Sequence, residues 1–165
     1  MELRFFGVDQ RQSDDLGRMR LAADVDTQAD LLVEMAKDSD KRIRATVGEN
    51  TMTPVSTLVH LAEDSEDWVR RRVAENPSTP PVVLAKLSAD VDAGVRLSLV
   101  HNPNLPPNIL RHLADDFDGW VRYEVAKHPS TPEDILRAFS RDEFLSSAVF
   151  ENPSSPPDLQ WSWAA

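Results

Sequence analysis

The sequence contains no cysteine. That excludes disulfides, thiolate metal sites and cysteine nucleophiles. It also lacks any run of about 18 apolar residues, the length a membrane-spanning helix requires. The first residues, Met1-Glu2-Leu3-Arg4-Phe5-Phe6, show no charged segment followed by an apolar stretch, so no secretory leader is expected. A cytoplasmic protein without membrane attachment is the plain inference. There is no glycine-rich phosphate loop, no nucleophile elbow and no His-Glu metal motif. No catalytic residue, metal or cofactor is therefore assigned, and an enzyme is not expected. Positive charge is also short: the formal net charge is −10, which opposes general attraction to nucleic acid or anionic membrane.

What the sequence does contain is a repeat. Asn50, Asn76, Asn102, His128 and Asn152 follow one another at steps of 26, 26, 26 and 24 residues. Seven residues before each anchor stand Ile43, Val69, Val95, Val121 and Leu145, and next to them Arg44, Arg70, Arg96 and Arg122, with Ser146 breaking the series. Three before the anchor come Val47, Val73, Leu99, Val125 and Val149, and four after it Pro54, Pro80, Pro106, Pro132 and Pro156. Leu58, Leu84, Leu110 and Leu136 form a further column, as do Asp64, Asp90, Asp116 and Asp142. Columns at this period mean stacked structural units.

Each unit reads as two helices. Val69 and Val73, four residues apart, face inward from a first, short helix, and Pro77 is expected to end it. Thr79 is expected to cap a second helix that starts at Pro80, with Val83, Leu84 and Leu87 as its apolar stripe. One unit carries roughly five inward side chains, each worth about 1.5–3 kcal/mol when buried. That does not offset the entropy of ordering its own chain, so units must stack. The expectation is an all-α solenoid: an N-terminal cap over residues 1–16 and a single repeat domain over 17–165. Within that domain, 17–42 is a degenerate first repeat with Leu21, Asp24, Thr27, Leu32, Met35 and Asp38 in register. Residues 43–142 are regular, and 143–165 hold a shortened last repeat and C-terminal cap. Phe150, Trp161 and Trp163 are expected to close the open end or meet a partner.

The columns resemble the leucine-rich repeat variant family, through Leu58, Leu61, Ala62, Asp64, Val69, Arg70, Val73, Ala74, Asn76, Pro77, Thr79 and Pro80. The resemblance covers roughly residues 17–160 and implies a right-handed superhelix of alternating α and 3₁₀ helices, so the short Val-Arg helix is expected to be partly 3₁₀. Some members carry a cysteine-rich iron–sulfur segment; without cysteine, that cofactor does not transfer to this chain. The Asp-then-Val-Arg spacing is also similar to HEAT repeats.

Two sets of residues stand out as candidates. Arg44, Arg70, Arg96 and Arg122 each lie six residues after Asp38, Asp64, Asp90 and Asp116. That fixed pairing suggests a structural ladder of carboxylate–guanidinium bonds within and between coils, rather than a phosphate-reading groove. The acidic turns and the histidines are not expected to hold metal: His60 and His112 lie two coils apart, and calcium needs about six to eight converging oxygens. On the outward side of the Val-Arg helices, Trp68, Arg71, Leu97, Trp120 and Tyr123 form a candidate partner surface, with Gly94 leaving a gap between the tryptophans. Trp, Tyr and Arg are the types enriched at binding hot spots. The sequence thus points to a non-enzymatic protein-interaction scaffold for an unidentified protein or peptide. The alternative is a HEAT-like nucleic-acid-binding repeat protein; neither partner nor oligomeric state is encoded legibly.

The charge balance makes one prediction. Titration with labelled duplex and single strands at physiological salt should show no binding in the 10⁻⁴–10⁻⁶ M range typical of non-specific binders. A micromolar, steeply salt-dependent affinity would reverse the choice of function.

Overall fold

The computed structural model describes residues 10–160. Phe5-Phe6, Trp161 and Trp163 lie outside the described residues. Among these residues every regular element is an α-helix: α1 (Gln10–Ala23), α2 (Ala29–Met35), α3 (Lys41–Glu49), α4 (Val55–Leu61), α5 (Asp67–Glu75), α6 (Pro81–Leu87), α7 (Ala93–Val100), α8 (Pro107–Leu113), α9 (Gly119–Lys127), α10 (Glu133–Phe139), α11 (Ser146–Glu151) and α12 (Pro157–Gln160). The odd-numbered helices pack on one another in sequence, from α1 against α3 through to α9 against α11. Each even-numbered helix from α2 to α10 packs against the odd helix that follows it. The architecture is a helical solenoid of two layers, one odd and one even.

The inward columns are its core. Ile43, Val69, Val95, Val121 and Leu145 are buried, as are Val47, Val73, Leu99, Val125, Val149, Leu58, Leu84, Leu110 and Leu136. They form one continuous cluster along the solenoid, as a stack of individually unstable units must.

Several local expectations are corrected. The Val-Arg helices are not the short ones: α3, α5 and α9 have 9 residues each, whereas α4, α6, α8 and α10 have 7. Both kinds are α-helical, with 3₁₀-type bonds confined to the ends, such as Glu63 N–H to the His60 carbonyl at 3.0 Å. Thr79 does not cap the second helix. Its hydroxyl donates to the Val73 carbonyl at 2.6 Å, closing the first helix, and Thr53, Thr131 and Ser155 do the same to Val47, Val125 and Val149. Pro80 is the residue before α6, not its first, and Pro81 takes the first position. Leu21, expected inward, is exposed while Ala22 is buried. The expected boundary at residues 16 and 17 falls inside α1. Phe150 is 47% exposed.

The corners after α3, α5, α7 and α11 are held by an asparagine. Asn76 Nδ2 donates to the Gly48 and Asn50 carbonyls of the preceding coil at 2.7 and 3.0 Å, and its Oδ1 accepts from Ser78 N at 2.8 Å. Asn50, Asn102 and Asn152 repeat both the cross-coil and the local bonds. Proline is secondary here: Asn50 is followed by Thr51, yet its backbone stands at φ −67°, ψ 122°, as Asn76 does at −68° and 122°.

His128 is the exception in the column. Its Nδ1 accepts from Ser130 N at 3.1 Å, imitating the local bond of asparagine. Among the described residues it makes no bond to the carbonyls of Val100 and Asn102, the positions an asparagine would reach. The helix on that side, α7, ends one residue early at Val100, and α9 packs less extensively on α7 than α5 does. Burial pushes the His128 imidazole below its ordinary value of 6.5, and the neighbouring His101 adds to this. The His128 contribution to stability is therefore full above about pH 6.5 and is lost as pH falls below it, because the unfolded chain binds that proton more readily.

His128→Asn should restore the two cross-coil bonds. The expected gain is about 1 kcal/mol, or about 2–4 °C in melting midpoint for a chain of this size. The gain should be larger at pH 5 than at pH 8. A lower midpoint, or an equal gain at both pH values, would contradict this role for the corner.

Candidate functional site

Arg44, Arg70 and Arg96 leave the first turn of α3, α5 and α7 and reach forward to the next coil. Nε and Nη2 of Arg44 donate to the two Asp64 oxygens at 2.7 and 2.9 Å. Arg70 meets Asp90 at 2.7 and 2.9 Å, and Arg96 meets Asp116 at 2.6 and 2.9 Å. The third nitrogen, Nη1, reaches back to a backbone carbonyl six residues earlier: Asp38 at 2.9 Å, Asp64 at 2.8 Å and Asp90 at 2.7 Å. The side-chain partner is thus the aspartate twenty residues ahead. The aspartate six residues behind, expected as the carboxylate partner, contributes its carbonyl instead.

Each acceptor is also fixed locally. Asp38, Asp64, Asp90 and Asp116 accept from the backbone N–H two residues on at 2.8–3.0 Å. Burial works to raise the pKa of Asp64, Asp90 and Asp116. The hydrogen bonds from Arg44, Arg70 and Arg96, aided by that backbone N–H, outweigh burial and hold all three carboxyls below the usual aspartate range. Arg96–Asp116 is the most enclosed pair, with side chains 3% and 4% exposed, against 13% and 9% for Arg70–Asp90.

The ladder extends one rung further back than the sequence reading placed it. Arg18 bonds the side chains of Asp38 and Asp15. It lies 26 residues before Arg44, so the column itself carried the signal. At the other end Arg122 breaks the pattern. Its Nη1 donates to the Asp116 carbonyl at 2.6 Å, but it pairs with no carboxylate among the described residues. Asp142, in the column that should supply one, is exposed and accepts instead from Phe144 N and Leu145 N at 2.8 and 3.2 Å. The cause is the shortened last turn. Asp142 stands three residues before buried Leu145, where Asp116 stands five before Val121.

The candidate partner surface is only partly assembled as expected. Trp120 and Tyr123 on α9 meet edge-on at 5.7 Å between ring centroids. Phe144, absent from the expected set, completes the cluster at 5.4 Å from Trp120 and 5.5 Å from Tyr123. It occupies the column of Trp68, Gly94 and Trp120, eight residues before the corner; the two-residue shortening hid it. Trp68 makes no ring contact among the described residues. The gap expected at Gly94 is filled: a Cβ there would lie 2.3 Å from Arg71 Cζ. The Arg71 guanidinium pairs with Asp67 at 2.8 Å and Asp92 at 2.9 Å. Leu97 is partly buried and packs against the core, as does Tyr123. Trp120 remains 62% exposed.

The acidic turns serve helix starts. Asp40, Asp92 and Asp118 cap α3, α7 and α9 through backbone N–H groups. His101 lies 3.8 Å from Glu124. Among the described residues no three His, Asp or Glu side chains are grouped to hold a metal ion, and no helix is long and apolar enough to cross a membrane.

The rungs differ in a way that substitution can read. Arg96→Ala strands the buried Asp116 carboxylate and should cost about 3–5 kcal/mol. Arg122→Ala strands no carboxylate and should cost about 1 kcal/mol or less. Equal losses would contradict the ladder. Because the folded carboxyls are depressed, their contribution is complete above the ordinary aspartate value of about 3.9 and is lost as pH falls through the folded values. In Arg96→Ala that acid-sensitive part should shrink.

Residues 93–118 match the family model described as leucine rich repeat variant. No curated protein and no solved structure matches the chain. The matched segment spans α7 and α8 and contains Arg96, Asn102 and Asp116, one member of each polar column. Residues 93–118 are thus similar to a leucine rich repeat variant unit, and the same columns recur in the neighbouring coils of the helical solenoid.

Proposed function

We propose that this chain is a non-enzymatic protein-interaction scaffold that binds an unidentified protein or peptide on the odd-helix side of its C-terminal coils. The observation that carries the reading is the Trp120–Tyr123–Phe144 cluster. The three rings meet edge-on or tilted; Tyr123 rests on the core, while Trp120 and Phe144 keep large exposed surfaces. Aromatic groups held rigidly at a surface bring large contact area at small entropic cost. The repeated polar side chains are consumed in joining coils, which leaves them little capacity for catalysis. The same engagement, with the net charge of −10, weighs against a nucleic-acid groove.

Trp120→Ala and Phe144→Ala should each change stability by less than about 1 kcal/mol while together abolishing retention of proteins that the wild-type chain captures from native lysate. Val82→Ala, on the exposed side of α6, should retain them. Unchanged capture by the double variant would overturn the assignment of this face. Leu97→Asp is not a clean test, since Leu97 packs on the core.

A further inference from the structure

Arg122 is built like the three arginines before it. Its Nη1 is tied back to the Asp116 carbonyl, as Arg44, Arg70 and Arg96 are tied to Asp38, Asp64 and Asp90. In those three the other edge of the guanidinium, Nε and Nη2, grips both oxygens of an aspartate from the next coil. In Arg122 that edge meets no carboxylate among the described residues, because Asp142 is turned to its own backbone. The open edge also borders the aromatic cluster. A Cβ placed on Gly119 would lie 3.8 Å from Arg122 Nη2 and 3.5 Å from Phe144 Cε1.

The chain itself shows which occupant suits such an edge. At Arg96 the carboxylate comes from Asp116, and the next residue, Phe117, lays its ring over the guanidinium with Cζ 4.3 Å from the ring centroid. One Asp-Phe step thus satisfies the fork with its carboxylate and the cation's face with its ring, a combination of bidentate and cation–π attraction. We propose that Arg122, with Trp120 and Phe144 beside it, is a receptor for an aspartate followed by an aromatic residue in a partner polypeptide. The partner supplies in trans the rung that Asp142 does not supply in cis. This rests on the interaction-scaffold reading and narrows it to one peptide chemistry. The net charge of −10 selects further: a lone aspartate among apolar neighbours is favoured over an acidic run, which the surrounding carboxylates repel.

The test is a titration of the ¹⁵N-labelled full chain with acetylated, amidated Gly-Asp-Phe-Gly, read at the arginine Nε–Hε and tryptophan indole signals. Saturable shifts at Arg122 and Trp120, with Arg44, Arg70 and Arg96 unmoved, are expected. Asp→Asn in the peptide, Phe→Ala in the peptide, and Arg122→Gln in the protein should each weaken binding, the two carboxylate–guanidinium changes by at least about tenfold. Arg122→Lys keeps the charge but not the fork, and should weaken it similarly. Arg111→Gln, which loses only an exposed pair with Asp134, should leave it unchanged. If Arg122→Gln does not fold, the Asn peptide against wild type still decides. No saturable shift at millimolar peptide overturns the proposal. So does Arg122→Lys binding as well as wild type, or tighter binding of Gly-Gly-Phe with a free C-terminal carboxylate. If lysate capture through Trp120 and Phe144 persists while the Asp-Phe peptide fails, the receptor falls and the scaffold reading stands. If the peptide binds but no protein is retained, the scaffold reading falls instead.

Discussion

The spacing between coils depends on side chains that hydrogen-bond to two coils at once. At one corner the asparagine amide donates to two carbonyls of the coil behind and accepts an N–H of its own turn. At the acidic turn the arginine holds a carbonyl of its own coil with Nη1 and a carboxylate of the next coil with Nε and Nη2. Buried polar groups are costly unless satisfied, and these are satisfied on all sides. The apolar columns provide the drive to stack, but they are nondirectional. The polar bridges give the stack a register. A coil displaced along the axis would keep much of its apolar contact and lose both bridges.

This division of labour bears on function. In the regular coils the repeated arginine, aspartate and asparagine side chains are occupied in joining coils. Groups become available where the repeat falters. His128 replaces an asparagine and leaves α7 and α9 less tightly joined. The shortened last turn swings Asp142 away and leaves the Arg122 fork open. The same shortening brings Phe144 against Trp120 and Tyr123. These three irregular features lie in the last coils of the described chain, and the functional proposals lie there for that reason.

The apolar columns were legible in the sequence because a helix face repeats every three to four residues whatever surrounds it. Val69, Val73, Leu84 and their counterparts in the regular coils proved to be core, whereas Leu21 in the worn first repeat did not. The partner of each arginine was harder to read. Arg44 lies six residues after Asp38 and twenty before Asp64, and the two separations together make one period. A perfect repeat cannot tell them apart. Thr79 was read as a cap for the helix it precedes, yet its hydroxyl turns back to the helix it follows. Local sequence permits both, and the packed corner decides. The supposed gap at Gly94 vanished because Arg71, four residues from Asp67 on the same helix, also reaches Asp92 of the next coil. Arg18 and Phe144 were missed in registers displaced or worn at the two ends, where column counting is weakest.

The claim that cross-coil arginine–aspartate bonds join the solenoid is tested most directly by two double-mutant cycles in the full chain, Arg96→Ala with Asp116→Ala and Arg122→Ala with Asp142→Ala. Chemical unfolding at neutral pH and low salt supplies the four stabilities of each cycle. The first pair should show a coupling of about 2 kcal/mol or more, within the range of residues that share a network. The second should show a coupling within about 0.5 kcal/mol of zero, because Asp142 does not reach Arg122. Coupling near zero in both, or equal coupling in both, would contradict the account.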